Sequence, residues 1–268
     1  MLNTVSNWFD FSMQNPWLVA IALNSILLIV ATIIPKKLLT PAGLIHAWGL
    51  GVVVWGTLGW RGYGVVMFYF LVGSAVTRIG MKQKEAEGIA EKRDGARGPE
   101  NVWGSAFTAT ICAIGVAGIK LGWLDPGWES LLLLGYVASF ATKLSDTTAS
   151  EVGKAYGKST FLITTLKPVP RGTEGAVSLE GTVAGIVGGI LISLVAYSVG
   201  MITFTGVIIC TIAAFIATNI ESVIGATLQS EIDWLSNELV NVINTIIGAV
   251  VAISLALSLP SAIATWWH

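Results

Sequence analysis

The sequence has little charge for its length. Charged residues make up 12% of the 268 residues and hydrophobic residues make up 54%, whereas about a quarter of the residues in a soluble domain are charged. The mean hydropathy is +0.74. These values exclude an ordinary soluble domain and predict an integral membrane protein. The net charge of −1 gives no basic excess, so we expect no nucleic-acid partner.

Cysteine and histidine are also scarce, which excludes several kinds of site. The two cysteines, Cys112 and Cys210, lie in apolar runs, so neither a disulfide framework nor a zinc site is expected. His46 begins an apolar run without a neighbour at metal-ligand spacing, which favours a packing or interfacial role. No Ser-His-Asp or Cys-His pattern is present, so hydrolysis by a catalytic triad is not expected.

Long apolar runs predict the fold. A helix needs roughly 20 mainly apolar residues to cross the hydrocarbon, where every backbone polar group must be paired. Eight runs approach this length, and they predict an all-α, polytopic membrane bundle of about eight transmembrane helices in a single domain, residues 1–268. The runs are residues 17–34, 44–58, 63–79, 102–121, 131–144, 181–200, 202–218 and 242–259.

Basic residues are distributed unequally between the two ends of these spans. If the spans alternate in direction, thirteen lysines and arginines fall on one side, and only Arg61 and Lys120 fall on the other. The positive-inside rule makes the basic side cytoplasmic, or stromal in a plastid, with both termini on the opposite side. An aromatic belt is predicted at the opposite span ends, formed by Trp17, Trp60, Trp123, Trp128, Trp266 and Trp267.

The first residues of the chain bear on its location. Residues 1–17 lack the basic region of a signal peptide and are poor in the arginine and serine of a transit peptide. We therefore expect either a bacterial chain or a mature plastid form. The expected membrane is the bacterial inner membrane, the thylakoid or the chloroplast envelope.

Three segments on the predicted cytoplasmic side are too long to be simple turns. They are residues 80–101, 145–180 and 219–241, the last continuing into the eighth span to residue 244. Loops of this length are usually functional, so these segments are expected to build a nucleotide and phosphate site. A transporter would instead place polar groups near the membrane midplane on broken helices. The pattern favours an enzyme at the membrane interface.

The segment LSDTTASEVGKAYGKSTF, residues 144–161, contains small residues around one acid. At helical spacing, the acid and several of the small residues share one helix face. Either a phosphate chain lies on this face, with a metal ion on Asp146 and with Lys154 or Lys158 on the phosphates, or the small residues pack against another helix. The run GKAYGKS lacks the first glycine of a P-loop, so a Walker fold is not expected. The residues that share the face at helical spacing are Asp146, Ala149, Gly153 and Gly157.

The remaining segments add further candidates. Glu221 ends the seventh span, and Asn241 and Asn244 carry a polar stripe into the eighth; such groups at membrane depth suggest a site, although asparagines also suit interhelical hydrogen bonds. Arg97, between two glycines, is the preferred phosphate contact of residues 80–101. Residues 166–185 hold prolines and glycines, which predict a rigid turn and close backbone approach, and four charged candidates: Lys167, Arg171, Glu174 and Glu180.

These segments resemble known membrane enzymes. The run DTTASEVGKAYGK resembles the D-x-x-A-x-x-x-G-x-x-x-G element of CTP-dependent polyprenol kinases and phosphatidate cytidylyltransferases, and SLEGTVAG resembles their K-T-x-E-G-x-x-x-G element. A longer resemblance, over about residues 84–244, is to the phytyl-phosphate kinase family of plants and cyanobacteria. It is carried by EAEGIAEKRDGARGPENVWGS, FATKLSDTTASEVGKAYGK, TTLKPVPRGTEGAVSLEGT, AFIATNIESVIGATLQ and NELVNVINT.

The resemblance implies a kinase that transfers the terminal phosphate of a nucleoside triphosphate, with CTP favoured, to an isoprenyl monophosphate such as phytyl phosphate. The diphosphate product would serve tocopherol synthesis and phytol salvage, and the cofactor would be Mg²⁺. On this basis we expect Asp146, Glu180 and Glu221 to be the catalytic and metal-binding carboxylates. The expected nucleotide and phosphate contacts are Arg97, Gly153, Lys154, Gly157, Lys158, Lys167, Arg171, Glu174, Asn241 and Asn244.

One departure and three alternatives accompany this hypothesis. Val177 and Ser178 stand where the second element has Lys-Thr, so either Glu180 or Glu174 is the equivalent acid. The alternatives are a kinase of the free prenyl alcohol, a CTP-dependent cytidylyltransferase, and a non-enzymatic lipid or ion carrier. An oligomer is compatible with the sequence.

Overall fold

The computed structural model describes residues 15–35, 37–229, 231–232 and 234–259. Residues 1–14, Lys36, and the predicted belt residues Trp266 and Trp267 lie outside the described residues. The described part of the chain is a helical bundle, so the predicted fold class is confirmed. Its α-helices are α1 Pro16–Ile33, α2 Pro41–Thr77, α3 Met81–Ala86, α4 Pro99–Lys120, α5 Glu129–Tyr156, α6 Leu179–Ser198, α7 Phe204–Thr227 and α8 Asn237–Ser258.

Six of these helices, all except α3 and α5, are long and apolar enough to cross a membrane by length and composition. Helix α2 consists of two segments, because the chain reverses at Gly59, which has φ 65° and ψ −158°. Gly43 and Gly73, from the two halves of α2, both lie against Arg97, so the halves are antiparallel. A non-glycine residue rarely adopts the positive φ of Gly59. The second and third predicted spans are therefore two arms of one helical hairpin.

Helix α5 is the centre of the bundle and contacts α2, α4, α6, α7 and α8. Its predicted span, residues 131–144, is extended by the structure to Tyr156. Because other helices surround α5, its polar residues face protein rather than lipid. Buried polar groups need partners, and the partners that α5 finds define the site described below. The buried polar residues of α5 are Ser139, Thr142, Lys143, Ser145, Asp146, Thr147, Thr148 and Glu151.

Local sequence signals start most of the helices. Proline occupies the first turn of α1, α2 and α4, where its missing N–H is not needed. Side-chain oxygens accept a hydrogen bond from an otherwise unpaired N–H in the first turn of other helices. These capping residues include Thr40 for α2, Ser178 for α6, Thr203 for α7 and Ser236 for α8.

The short elements lie mostly at one end of the bundle, which we call the cleft end and which carries residues 78–101, 157–178, 228–229 and 234–236. Here α3 and a 3-10 helix, Lys92–Gly95, occupy the first predicted loop. In the second, strand β1, Phe161–Leu162, pairs antiparallel with β2, Ala176–Val177. The opposite end carries the Gly59 turn and a 3-10 helix, Pro126–Trp128.

Candidate active site

A cleft of about 540 Å³ opens at the cleft end. This volume lies within the usual range for small-molecule sites, about 300–1,000 Å³. Its walls come from α2, α4, α5, α6, α7 and α8, together with the loops 90–97 and 172–178. Most of the lining side chains are charged, hydroxylated or amide-bearing, so the cleft suits a polar ligand better than an apolar one.

A buried cluster of Lys143, Asp146 and Asn241 joins α5 to α8 within the cleft. The ammonium group of Lys143 donates a hydrogen bond of 2.6 Å to Asp146 Oδ2 and one of 2.7 Å to Asn241 Oδ1. Lys143 and Asp146 are three residues apart, so they occupy the same helix face. The carboxylate predicted to bind metal therefore lies beside a lysine that is not among the predicted site residues.

Glu221 extends from α7 into the same cleft. One turn earlier on α7, the Thr218 hydroxyl donates to Ser145 Oγ at 3.2 Å, which fixes α7 against α5. Two carboxylates, from α5 and α7, thus line one cavity. Four charged groups interact electrostatically with the Glu221 carboxylate: Asp146, Lys143, Glu174 and Lys154.

Arg97 also lines the cleft, where Tyr69 holds its side chain in place. Its Nη1 donates to the Tyr69 hydroxyl at 2.8 Å, and that hydroxyl donates to Ser105 Oγ at 2.8 Å. The guanidinium also lies over the Tyr69 ring, 5.2 Å from its centroid, an arrangement favoured by cation–π attraction. Gly73 permits this placement, because a Cβ there would lie 2.7 Å from Arg97 Nη2. Arg97 is therefore a preorganised cation of the cleft.

A second buried ion pair supports the floor of the cleft. Lys84 of α3 pairs with Glu151 of α5, and its ammonium also donates to the Thr77 carbonyl at 2.7 Å. Lys154 lies one turn beyond, with its Nζ 3.7 Å from Glu151 Oε1. Glu151 and Lys154 both line the cleft, so their charges lie directly beside the space that a ligand would occupy.

The small-residue face of α5 serves both packing and the cleft. A Cβ on Gly157 would lie 3.1 Å from Ser178 Oγ, and one on Gly181 would lie 2.6 Å from the Ala149 carbonyl, so these residues allow α6 to approach α5 closely. Gly153 meets Ser178 in the same way but also lines the cleft. Packing therefore accounts for Gly157, whereas Gly153 both packs against α6 and lines the cleft.

The loop between β1 and β2, residues 163–175, crosses from α3 to α7. Arg171 Nη2 lies 2.6 Å from Oε1 of Glu87, the residue that follows α3. Gly175 has φ 72°, and a Cβ on it would lie 2.5 Å from the Ser222 carbonyl of α7. The predicted close backbone approach is confirmed at this glycine. The loop thus covers one side of the cleft, and Glu174 lines it.

The structure brings together some of the predicted site residues and separates others. Those lining the cleft are Arg97, Asp146, Gly153, Lys154, Glu174, Glu221 and Asn241. Those outside the lining are Gly157, Lys158, Lys167, Arg171, Glu180 and Asn244. Glu180 follows the α6 cap by two residues and Asn244 is fully buried one turn below Asn241.

Several charged residues of the cleft region, including Lys84, Arg93, Lys143 and Glu151, were not among the predicted site residues. Lys143 carried a usable signal, since it precedes Asp146 by one helical turn. Lys84 and Glu151 carried none, because they are 67 residues apart and meet only in the folded chain. Arg93 also lines the cleft and pairs with Glu100. No group of three or more metal-ligating residues is assembled in the described ranges.

Comparison with known proteins gives consistent matches. The model of the integral membrane protein family DUF92 matches residues 24–249. An uncharacterised membrane protein of Synechocystis, sll0875, is 65% identical over 91% of this chain and 93% of its own length. No solved structure matches the chain.

Two more distant relatives extend this comparison. Protein VTE6, chloroplastic, of Arabidopsis thaliana is 43% identical over 88% of this chain and 71% of its own length. An uncharacterised membrane protein of Methanocaldococcus jannaschii, MJ0933, is 30% identical over 85% and 90% respectively. The resemblance to plant and cyanobacterial proteins that the motifs indicated is confirmed in these matches. The chain belongs to the integral membrane protein family DUF92.

Proposed function

We propose that the chain is an isoprenyl-phosphate kinase that transfers the terminal phosphate of a nucleoside triphosphate, with CTP favoured, to an isoprenyl monophosphate such as phytyl phosphate. The observation that carries this proposal is the meeting of two carboxylates, Asp146 and Glu221, with several cations in one cleft at the end of a membrane bundle. Phosphoryl transfer depends mainly on positioning and on neutralising charge. The motif resemblance and the likeness to VTE6 support the same reaction class.

The residues present fit a magnesium ion that the substrate completes. Mg²⁺ is usually bound by one or two carboxylates together with substrate phosphates and water, and Asp146 and Glu221 both line the cleft. Glu180 lies outside the lining, so we assign the ion to the other two. When bound, the ion would neutralise charge on the transferred phosphate.

The cations of the chain would orient the two phosphorylated substrates. Arg97 is fixed by Tyr69, so it would hold a phosphate without the cost of ordering its own side chain. Lys154 lines the cleft beside Glu151 and would contact a second phosphate. The lipid tail would remain among the helices and the bilayer, which keeps the acceptor phosphate at the cleft.

The reaction itself is an exchange of one phosphorus–oxygen bond for another. An oxygen of the acceptor monophosphate forms a bond to the terminal phosphorus of the nucleotide, while the bond from that phosphorus to its bridging oxygen breaks. The bridging oxygen keeps the electron pair and leaves as part of the nucleoside diphosphate. The acceptor is already an anion at neutral pH, so alignment and charge neutralisation suffice without a strong general base.

The test is an assay of purified protein in detergent with phytyl phosphate, magnesium and either CTP or ATP. We expect phytyl diphosphate together with CDP or ADP, and loss of at least 100-fold in turnover in Glu221→Gln, on the scale of losing one preorganised charge contact. Lys120→Met is the matched control, because Lys120 donates to the Thr57 carbonyl at the opposite end of the bundle.

Other products would replace the proposal by a named alternative. Release of inorganic diphosphate would identify cytidylyl transfer, and phosphorylation of free phytol in preference to its phosphate would identify an alcohol kinase. Lipid or ion flux in vesicles without nucleotide, with no product in the assay, would identify a carrier. The positive-inside distribution supports a cleft on the cytoplasmic or stromal face.

A further inference from the structure

Lys143 is the cation closest to the proposed metal-binding carboxylate. Its side chain is buried within α5, and Lys143 also lines the cleft. A lysine ammonium has three hydrogen-bond donors. Asp146 at 2.6 Å and Asn241 at 2.7 Å accept two of them, and the third donor has no acceptor among the described residues.

A purely structural role does not explain this arrangement well. A buried ion pair costs desolvation of both charges, and replacing such a pair by apolar residues is often neutral or stabilising. The helices α5 and α8 also pack against each other away from this pair, since Gly135 lies against Ala249 and Gly248 lies against Thr142. The pair therefore has a cost in stability that a ligand-binding role would account for.

Binding of a cation would change the electrostatics of the cluster. In the structure, the positive charge of Lys143 neutralises Asp146. If a metal ion took Asp146 as a ligand, the ammonium would lose its counter-charge and face a like charge nearby. A phosphate group carried with the metal would supply the missing negative charge, and Asn241 would keep the ammonium at the cleft wall during this exchange.

We propose that Lys143 is a phosphate-binding residue of the cleft, which pairs with Asp146 in the empty site and binds a phosphate oxygen of the nucleotide when the site is filled. This inference rests on the proposed function and adds a residue to its site. The polyphosphate of a nucleoside triphosphate is the chemical group that Lys143 recognises.

The experiment measures binding of inorganic tripolyphosphate, CTP and ATP to the full chain in detergent, by calorimetry, with metal removed by EDTA. We expect Lys143→Met to bind tripolyphosphate at least tenfold more weakly than the unmodified chain. Asp146→Asn should bind it as tightly or more tightly, because a competing negative charge has been removed. Lys120→Met, which removes a lysine at the other end, should leave the affinity unchanged.

A double variant keeps the test decisive if Lys143→Met does not fold. Lys143→Met with Asp146→Asn leaves no unpaired charge in the cluster, and its comparison with Asp146→Asn alone isolates the lysine. A tenfold weaker affinity of the double variant supports the inference, and equal affinities overturn it while the kinase proposal stands. If the unmodified, folded chain binds neither tripolyphosphate nor nucleotide, both in EDTA and after Mg²⁺ is added back, the kinase proposal fails as well.

Discussion

The buried pair of Lys84 and Glu151 allows a quantitative prediction about stability. Lys84 is 0% exposed and Glu151 is 2% exposed, so water cannot solvate either charge if the other is removed. The pair joins the short helix α3 to the central helix α5, and Lys84 also binds the Thr77 carbonyl at the end of α2. Loss of the lysine would therefore release three elements of the cleft end at once.

The predicted change is Lys84→Met, which keeps the length of the side chain and removes its charge. Removing one partner of a buried pair costs about 3–5 kcal/mol, because the remaining ion stays buried without its counter-charge. In chains of about this size, 1 kcal/mol lowers the melting temperature by roughly 2–4 °C. The expected loss is therefore about 6–20 °C. Lys154 Nζ lies 3.7 Å from Glu151 Oε1 and would still offset part of the carboxylate charge, so we expect a loss in the lower part of this range.

The chain provides its own reporter for the assay. Cys112 and Cys210 are free and buried, with 6% and 0% exposure, so a thiol-reactive dye labels them only when the bundle opens. Heating the purified protein with the dye gives the melting temperature directly. Lys82→Met is the matched control, since Lys82 is an exposed lysine of the same helix, and its effect should stay within about 0.5 kcal/mol.

A double variant provides the result that would refute the reasoning. Lys84→Met combined with Glu151→Met replaces both ions by apolar side chains, and its stability should return close to that of the unmodified chain. If the single variant melts within about 2 °C of the unmodified chain, the pair does not stabilise α3 as described. If the double variant is as unstable as the single one, packing rather than charge holds these helices together.

Three further predictions concern the loop 163–175 and the buried amide of α8. Gly175→Val should lower the melting temperature and abolish turnover, because a Cβ at this position would lie 2.5 Å from Ala226 Cβ and the backbone has φ 72°. Arg171→Gln removes the partly exposed ion pair with Glu87. Because such a pair contributes only modestly to stability, chymotrypsin should cleave the loop about 2- to 5-fold faster. Asn244→Leu should stabilise the chain by about 1–3 kcal/mol in thermal unfolding, because the Asn244 amide is fully buried and without a hydrogen-bond partner in the described part of the chain.

Each of these predictions has a comparison that can contradict it. Gly49→Ala is the glycine control, since a Cβ there meets nothing within 4 Å; equal losses in both variants would count against the close approach at Gly175. Glu87→Gln should reproduce the cleavage rate of Arg171→Gln, and a difference between them would show that the pair does not hold the loop. A lower melting temperature in Asn244→Leu would mean that the amide has a partner.

The predictions from sequence succeeded where the signal is local. Hydropathy located the spans, because each helix must satisfy its own backbone in lipid whatever its neighbours are. Helical periodicity placed Asp146 and Gly153 on one face, and both line the cleft. The turn at Gly59 followed from the short gap between two apolar runs. The charge distribution also identified the end of the bundle at which the cleft lies.

The sequence alone thus determined the class of the protein, its helices and the end that carries its polar residues. Only the tertiary structure decided which polar residues meet. Lys143 and Asn241 are 98 residues apart, and Lys84 and Glu151 are 67 apart, so no local pattern relates them. The same packing places Glu180 outside the cleft lining although a motif contains it. Periodicity orders the residues of a single helix, whereas a site at the ends of several helices depends on how those helices are rotated and packed against one another.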